Sequence, residues 1–422
     1  MISTLVITLL LMVVTAIILA KVLNMPRNIW LLFLVQPLTM SATPVIVFIG
    51  GILSTKLAPD PSLATLPLTL MIIGLAITTL PAGAFAKKVG RKKAFMLGLT
   101  ISLSGSLLAM TAALISSFYL FLTACAFIGS SAAFVMQLRF AAIDSVNDDK
   151  DIAKVVSILM FAGIFAAFLG PEIAVFAKDW LASPHGYAGS FLGLAIMVVI
   201  AMIIFQWFEE PNIKEDPTRG AERSLTLIIK QPLVIIAILA ATIGYGLMSL
   251  LMTATPISMH NMQGHSLNDT KWVIQSHIAA MYLPSLIAGT LVARIGLKNV
   301  LMIGILLFVG VILIALNGQQ VMHYWWTLVL LGVSWNFLFL TGTVLLPECY
   351  RASERHKVQA LNDFIIFSVQ ALASLLAGWV LFKAGWSTLV YSTIPFILIM
   401  FFANIWFYRL TYPIAASTAN NK

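Results

Sequence analysis

The chain has 422 residues, enough for two or three soluble domains, yet 60% of it is hydrophobic, only 10% is charged and its mean hydropathy is +0.99. Soluble domains are about 45–50% apolar and about 25% charged, so a water-soluble fold is excluded and the apolar excess must face lipid. The net charge of +9 then reports membrane topology rather than nucleic acid, and Cys125 and Cys349, on separate helices, make neither a disulfide framework nor a metal site.

Residues 1–23 are apolar with Lys21 and Arg27 behind them. Two readings stand open: an extra helix with its N-terminus outside, or sequence upstream of a true start at Met25. A signal peptide is disfavoured, because no basic residue precedes the apolar run and no A-x-A-like cleavage site precedes Asn24. Twelve further stretches follow, at 28–53, 63–86, 94–115, 118–141, 153–177, 188–208, 232–256, 271–293, 299–316, 323–346, 358–382 and 387–409. Each approaches the roughly 20 residues that a helix needs to cross a hydrocarbon core about 30 Å thick. The short alternating pattern of an outer-membrane barrel is missing, and in lipid only helices or closed barrels satisfy their own backbones. The predicted fold is an all-α integral membrane protein of twelve transmembrane helices, numbered here as spans 1–12. With the start of span 1 and the C-terminus cytoplasmic, only Lys56, Lys178, Lys271 and Lys383 of the 25 basic residues fall outside, as the positive-inside rule requires.

Two stretches recur. Met40-Ser41-Ala42-Thr43-Pro44 in span 1 returns as Met252-Thr253-Ala254-Thr255-Pro256 in span 7, and the loop from Gly83 to Gly90 after span 2 returns from Gly289 to Gly296 after span 8. The offsets, 212 and 206, keep register across a whole helix pair and predict two pseudo-symmetric six-helix bundles. The expected organisation is an N-terminal segment at 1–26, a first bundle at 27–208, a polar cytoplasmic linker at 209–231, a second bundle at 232–411 and a tail at 412–422.

The loop Gly83-Ala-Phe-Ala-Lys87-Lys88-Val-Gly90-Arg91-Lys92-Lys93 resembles the motif A loop of the major facilitator superfamily. The resemblance covers nearly the whole chain from about residue 27, with a weaker echo at Arg294-Ile-Gly296-Leu-Lys298. It departs at Lys87, where the family commonly carries an acid. Gly83 and Gly90 are expected to allow close helix approach and a tight turn. Arg91 and Lys92 are expected to pair with Asp144, with Arg139 beside them, as a conformational gate. A counterpart in the second half comprises Glu348, Arg351, Glu354 and Arg355. The bland alternative is that these cations only anchor the loops at lipid phosphates.

By the same resemblance, spans 1, 4, 7 and 10 line a central cavity near the bilayer midplane. Their middles hold the candidate substrate-binding residues Gln36, Thr39, Thr43, Ser131, Tyr245, Thr253, Trp335 and Asn336, with Ser41, Ser130, Ser249, Ser334 and Thr341 close by. None is charged. A charge at the bilayer centre costs about 2.5–3.5 kcal/mol and is kept mainly for an ion or charged ligand, so a neutral or amphipathic solute is expected. The hydroxyls could instead satisfy carbonyls freed by Pro44 and Pro256, and the aromatics could be packing residues.

Proton coupling needs a titratable group, and the candidates are His277 in span 8, Asp363 in span 11 and Glu172 in span 5. Each has a structural alternative: helix packing for His277, capping or pairing with Arg351 or Lys357 for Asp363, and a simple reach to outside water for Glu172. Gly170-Pro171 resembles the family's helix 5 antiporter element without its following glycine pair, which points to efflux.

The expected function is secondary active transport of a small organic solute by alternating access, coupled to protons and directed outward. Uptake of a nutrient or metal chelate and a non-transporting sensor are the alternatives. The partners are a small-molecule substrate, protons and the lipid bilayer, with no nucleic acid, no cofactor and no metal; the unit is a monomer in a bacterial inner membrane. No paired carboxylates, ligand spacing or phosphate loop suggests an enzyme.

Overall fold

The computed structural model describes residues 4–146, 149–210 and 223–410. Among the described residues, ten segments are long and apolar enough to cross a bilayer and no strand occurs. The first helix is α1 (Thr4–Val22), so the apolar segment ahead of span 1 is itself helical. Its buried residues Leu5, Thr8, Met12 and Ala16 recur at helical spacing, whereas Ile7, Leu10, Leu11, Val14 and Ile18 are exposed, the surface of a helix lodged at the lipid boundary.

Spans 1–6 are α2 (Arg27–Leu57), α3 (Pro61–Val89), α4 (Arg91–Leu114), α5 (Phe118–Val135), α6 (Asp149–Phe176) and α7 (Ala188–Phe205). Spans 7–10 are α8 (Pro232–Met262), α9 (Leu267–Tyr282, resuming as Ser285–Ile295), α10 (Leu297–Asn317) and α11 (Val321–Cys349). A final helical run, Lys357–Arg409, reverses at Gly385, whose φ of 82° and ψ of 173° are not helical. It therefore comprises two helices, α12 (355–384) and α13 (386–409).

Local chemistry explains several boundaries. Asp60 accepts the Ser62 amide at 2.8 Å as N-cap of α3, and that bond holds its carboxyl below the usual range. Ser266 accepts the Asp269 amide at 3.0 Å at the start of α9. Gly90 and Gly296 turn α3 into α4 and α9 into α10 with nearly the same backbone, φ 92° and ψ 159° against φ 80° and ψ 154°. The left-handed φ suits glycine at both places. Span 4 ends earlier than expected, at Val135, with a separate short helix Leu138–Asp144 beyond it.

The repeated Thr-Pro segments share a deformation. Pro44 is followed by a widened π turn at Ile46–Gly50, and Pro256 by another at Ile257–Met262. Proline has no amide for the i−4 carbonyl and its ring crowds that position, so the helix locally opens. Ser41 Oγ donates to the Pro37 carbonyl at 2.7 Å and Thr255 Oγ1 to Leu251 at 2.8 Å.

Within the first half, α3 and α4 pack on α5, α4 on α7 and α2 on α6; within the second, α8 packs on α11 and α12, and α11 on α9 and α10. The main contacts between halves are α3 with α12 and α6 with α9, helix pairs that the repeat relates to one another. The expected linker is partly built into the fold. Leu225–Ile229 is a short helix, Gln231 Nε2 donates to the Cys349 carbonyl at 3.3 Å, and Lys357 Nζ donates to the Arg223 carbonyl at 2.6 Å. Residues 211–222 and the expected tail lie outside the described residues.

Candidate functional site

A cavity of about 250 Å³ lies between the halves, close to the lower bound of about 300 Å³ for small-molecule pockets. Six of the expected residues line it: Thr39, Thr43, Ser131, Tyr245, Thr253 and Trp335. The repeat is used asymmetrically. Thr43 and Thr253 face the cavity, whereas their register partners Thr255 and Ser41 bond backbone carbonyls. Trp335 stacks on Phe339 at 5.1 Å and 10°. Tyr245 meets Trp335 edge-on at 5.1 Å, with Phe339 and Phe367 at 5.3 and 6.4 Å. The result is a rigid aromatic wall beside hydroxyls.

Gln36 and Asn336 stand elsewhere. Gln36 Nε2 donates to the Leu159 carbonyl at 3.0 Å, tying α2 to α6. Asn336 Nδ2 donates to the Met281 carbonyl at 2.8 Å and to Ser285 Oγ at 2.7 Å. It thereby serves the turn where α9 is interrupted. Sequence reasoning had drawn the lining from four spans, and so missed Phe367 and Gln370 from α12 and the methionines Met71 from α3 and Met281 from α9. Together with Met40, Met136, Met248 and Met252 they give the cavity a soft, polarizable wall. No Asp, Glu, Lys, Arg or His lines it among the described residues.

The coupling candidates also lie off the cavity. His277 is fully buried and its Nδ1 lies 2.6 Å from the Leu328 carbonyl of α11. Asp363 is half-buried on α12 and accepts from Asn362 Nδ2 at 3.2 Å. Glu172 does not reach outside water, as its position near a helix end had suggested. It is buried, 2.9 Å from Lys271 Nζ and 3.2 Å from Gln275 Nε2, both on α9. Gln275 Nε2 also reaches the Phe168 carbonyl at 3.3 Å. Two residues four apart on α9 thus grip two positions four apart on α6. On the same face, Asn261 donates to Thr55 Oγ1 at 2.7 Å and Thr65 Oγ1 accepts from the Gly378 amide at 3.2 Å. These bonds join the halves at the face opposite the basic loops. Gly170 has a packing reason: an added methyl would stand 2.7 Å from Pro44 Cβ and 2.8 Å from the Ser41 carbonyl oxygen.

At the basic face Arg91 binds Asp144 Oδ2 through Nε and Nη2, at 3.0 and 2.9 Å. Lys92 does not join that pair; its Nζ reaches the Gln206 carbonyl at 2.6 Å. Glu210 accepts the Arg91 and Lys92 amides at 2.5 and 2.9 Å, so an acid from beyond α7 caps the N-terminus of α4. Gly90 is needed for its φ of 92°; a Cβ there would also stand 2.9 Å from the Glu210 carboxylate, the movable end of a flexible side chain. Gly83 is not a close-approach site, since a methyl there would meet only Gln137 Nε2, at 3.7 Å. The Arg139 side chain lies outside the described residues, and Arg294 and Glu348 are exposed at this face.

The second half builds its counterpart from a residue the sequence reading passed over. Arg223 holds fully buried Glu354 at 2.6 Å through Nη2 and also donates to the Cys349 carbonyl at 3.1 Å. Hydrogen bonding from Arg223 keeps the Glu354 carboxyl well below the usual carboxylate range. Arg351 contributes its amide to Glu354 at 2.9 Å. Arg223 sits in a charged linker, where one arginine looks like any other.

The sequence profile of the Major Facilitator Superfamily matches residues 29–268 and 238–421. The chain belongs to this superfamily. Among curated relatives it is 35% identical over 373 residues to a riboflavin transporter, RfnT, of Brucella anthropi, spanning 88% of this chain and 93% of that one. It is 28% identical to the uncharacterized MFS-type transporter YddS of Bacillus subtilis, spanning 86% of each chain. Its fold also resembles that of a bacterial homologue of the human lysosomal transporter Spinster, with a TM-score of 0.66 at 14% identity, over 92% of this chain and 98% of that one. Membership makes the chain a multi-pass membrane transporter.

Proposed function

We propose that this superfamily member carries riboflavin, or a close neutral flavin, into the cell by alternating access. The observation that carries the reading is the cavity lining: an aromatic wall of Tyr245, Trp335 and Phe367, hydroxyls from Thr43 and Thr253, the hydroxyl oxygens of Thr39, Ser131 and Ser249, which donate to backbone carbonyls and keep lone pairs to accept with, and no Asp, Glu, Lys, Arg or His among the described residues. An isoalloxazine ring is planar, uncharged and polarizable, and matches aromatic and thioether walls. Its ribityl chain matches hydroxyls. A phosphorylated flavin would bring negative charge into a cavity that offers no cation, at a cost of several kcal/mol. The name of the Brucella anthropi relative supports the same ligand.

The reading takes uptake rather than the outward direction expected from the sequence: Gly170 has a packing reason on α2 that is independent of direction, and the name of the Brucella anthropi relative sides with a vitamin. Following the positive-inside rule, the basic face is cytoplasmic, in the plasma membrane of a bacterium. Two six-helix bundles, at 27–208 and 232–411, rock about the cavity. The joined far face is then the outer gate, and proton coupling resides off the cavity.

The test is counterflow in proteoliposomes. Vesicles preloaded with riboflavin should accumulate labelled riboflavin, flavin mononucleotide should not compete, and flavin fluorescence should be quenched on binding by the aromatic wall. Absence of both quenching and counterflow would refute the flavin assignment. Accumulation driven by an inside-acid gradient, rather than an inside-alkaline one, would restore efflux.

A further inference from the structure

Stacking on an aromatic wall fixes the plane of a flat ligand but leaves it free to turn within that plane, so a carrier that selects one ring needs a polar group at its edge. Gln36 and Asn336 share the cavity's depth, but their amides are spent on the Leu159 and Met281 carbonyls. Gln370 of α12 is the one amide side chain lining the cavity among the described residues. It lies on the protein-facing stripe of α12, where Phe367, Ala371, Ser374 and Ala377 are buried, while Phe364, Leu372 and Trp379 face lipid. Its main chain is tied across to α8, since its carbonyl accepts Ser249 Oγ at 3.3 Å. Its side chain is half-buried, and the amide makes no hydrogen bond with any described residue. Phe367, one turn earlier on α12 and 6.4 Å from Tyr245, brings the aromatic wall up to it.

We propose that Gln370 is the specificity residue of this carrier, and that its amide reads the cyclic imide edge of the ligand. The other free polar groups of the lining, such as Thr43 and Thr253, carry hydroxyls, which rotate and offer one donor each. An amide holds a donor and an acceptor side by side in one plane. The pyrimidine end of an isoalloxazine offers the complement, an N3–H group flanked by two carbonyls. Gln370 Oε1 accepts from N3–H while Nε2 donates to a neighbouring ring carbonyl. The dimethylated end of the ring then points to the first half, where Met40, Met71 and Met136 line the cavity. The ribityl chain leaves from the middle ring and stays free for the hydroxyls. A flat ligand without the imide leaves both atoms of the amide unpaired in an apolar cavity, which is how a site built to hydrogen-bond rejects an analogue. This deepens the flavin reading and rests on it.

The experiment is flavin-fluorescence titration of the full-length protein in nanodiscs with riboflavin and with 3-methylriboflavin, which differ only in the group at N3. Wild type should bind riboflavin about tenfold or more tighter than the methylated ligand. Gln370→Met keeps the length of the side chain and removes the amide. It should weaken riboflavin binding by about tenfold and bring the two ligands within about twofold of each other. The ratio is the decisive readout, because general damage to the cavity would weaken both ligands and leave their ratio as in wild type. If Gln370→Met fails to fold, Gln370→Leu is read in the same way. A wild type that binds both ligands alike, or a variant that keeps the wild-type preference, would overturn the role of Gln370 and leave the flavin reading standing. A wild type that binds neither would overturn both.

Discussion

Gly129→Ala tests the helix crossing on which the cavity's first wall depends. A Cβ at Gly129 of α5 would stand 1.8 Å from the Met71 carbonyl oxygen of α3, with that residue's carbonyl carbon at 2.6 Å and Cα at 2.8 Å. Gly74, one turn along α3, has the reciprocal arrangement, 2.4 Å from the Ala126 oxygen. Every near atom is backbone, so no rotamer change relieves the clash. The helices must part by about 1.6 Å to restore an ordinary contact of 3.4 Å, and close packing at small residues is what holds helices together in lipid. The cost should reach or exceed the upper end of the about 1–3 kcal/mol typical of overpacking. Met71, Ile72, Ile128 and Ser131 all line the cavity from these two helices, so ligand affinity should fall with stability. Reversible unfolding in mixed micelles, followed by circular dichroism, measures the loss. Gly310→Ala is the control, since its Cβ would meet only Leu330 Cδ1 at 3.4 Å, and it should stay within about 0.5 kcal/mol of wild type. Equal stability of the two variants would refute the reasoning.

Trp335→Ala should weaken riboflavin binding by about tenfold or more, since it removes the stacked wall and unseats Tyr245, while Gln36→Ala should change it less than about twofold; fluorescence titration distinguishes them. His277→Gln should leave the pH dependence of transport unchanged, because the imidazole is turned to the α11 backbone and not to the cavity; a flattened profile would return it to the coupling candidates. The Arg223–Glu354 anchor carries a depressed carboxyl, so its contribution is fully present above the ordinary glutamate range and is lost only as pH falls toward the lowered value. Tryptic cleavage at Arg223, taken relative to an unstructured peptide cut at the same pH, should therefore be slow and constant from pH 6 to pH 8, and should accelerate in Glu354→Gln.

The helices and their order were legible in the chain because lipid imposes a simple rule: about 20 apolar residues between polar ends, with cations on one side. Gly90 and Gly296 were legible for a related reason, since a left-handed turn leaves few residues to choose from. The Arg91–Asp144 pair was legible because both charges sit at helix ends at the same depth. Which way a side chain points around its helix was not, because in a helix surrounded by protein on one side and lipid on the other both faces are apolar. Gln36 and Asn336 have the right depth for the cavity and the wrong azimuth; Phe367 and Gln370 have the right azimuth on a span given no part in the lining. Composition and apolar run length thus determined an all-helical membrane protein with an uncharged centre, the recurring stretches pointed to two related halves, and only the motif A resemblance pointed to a transporter. Tertiary structure alone decided that Glu172 meets Lys271, 99 positions away, and that Arg223 meets Glu354. Such pairings depend on how helices from distant parts of the chain pack, and sequence spacing within any one helix carries no information about that.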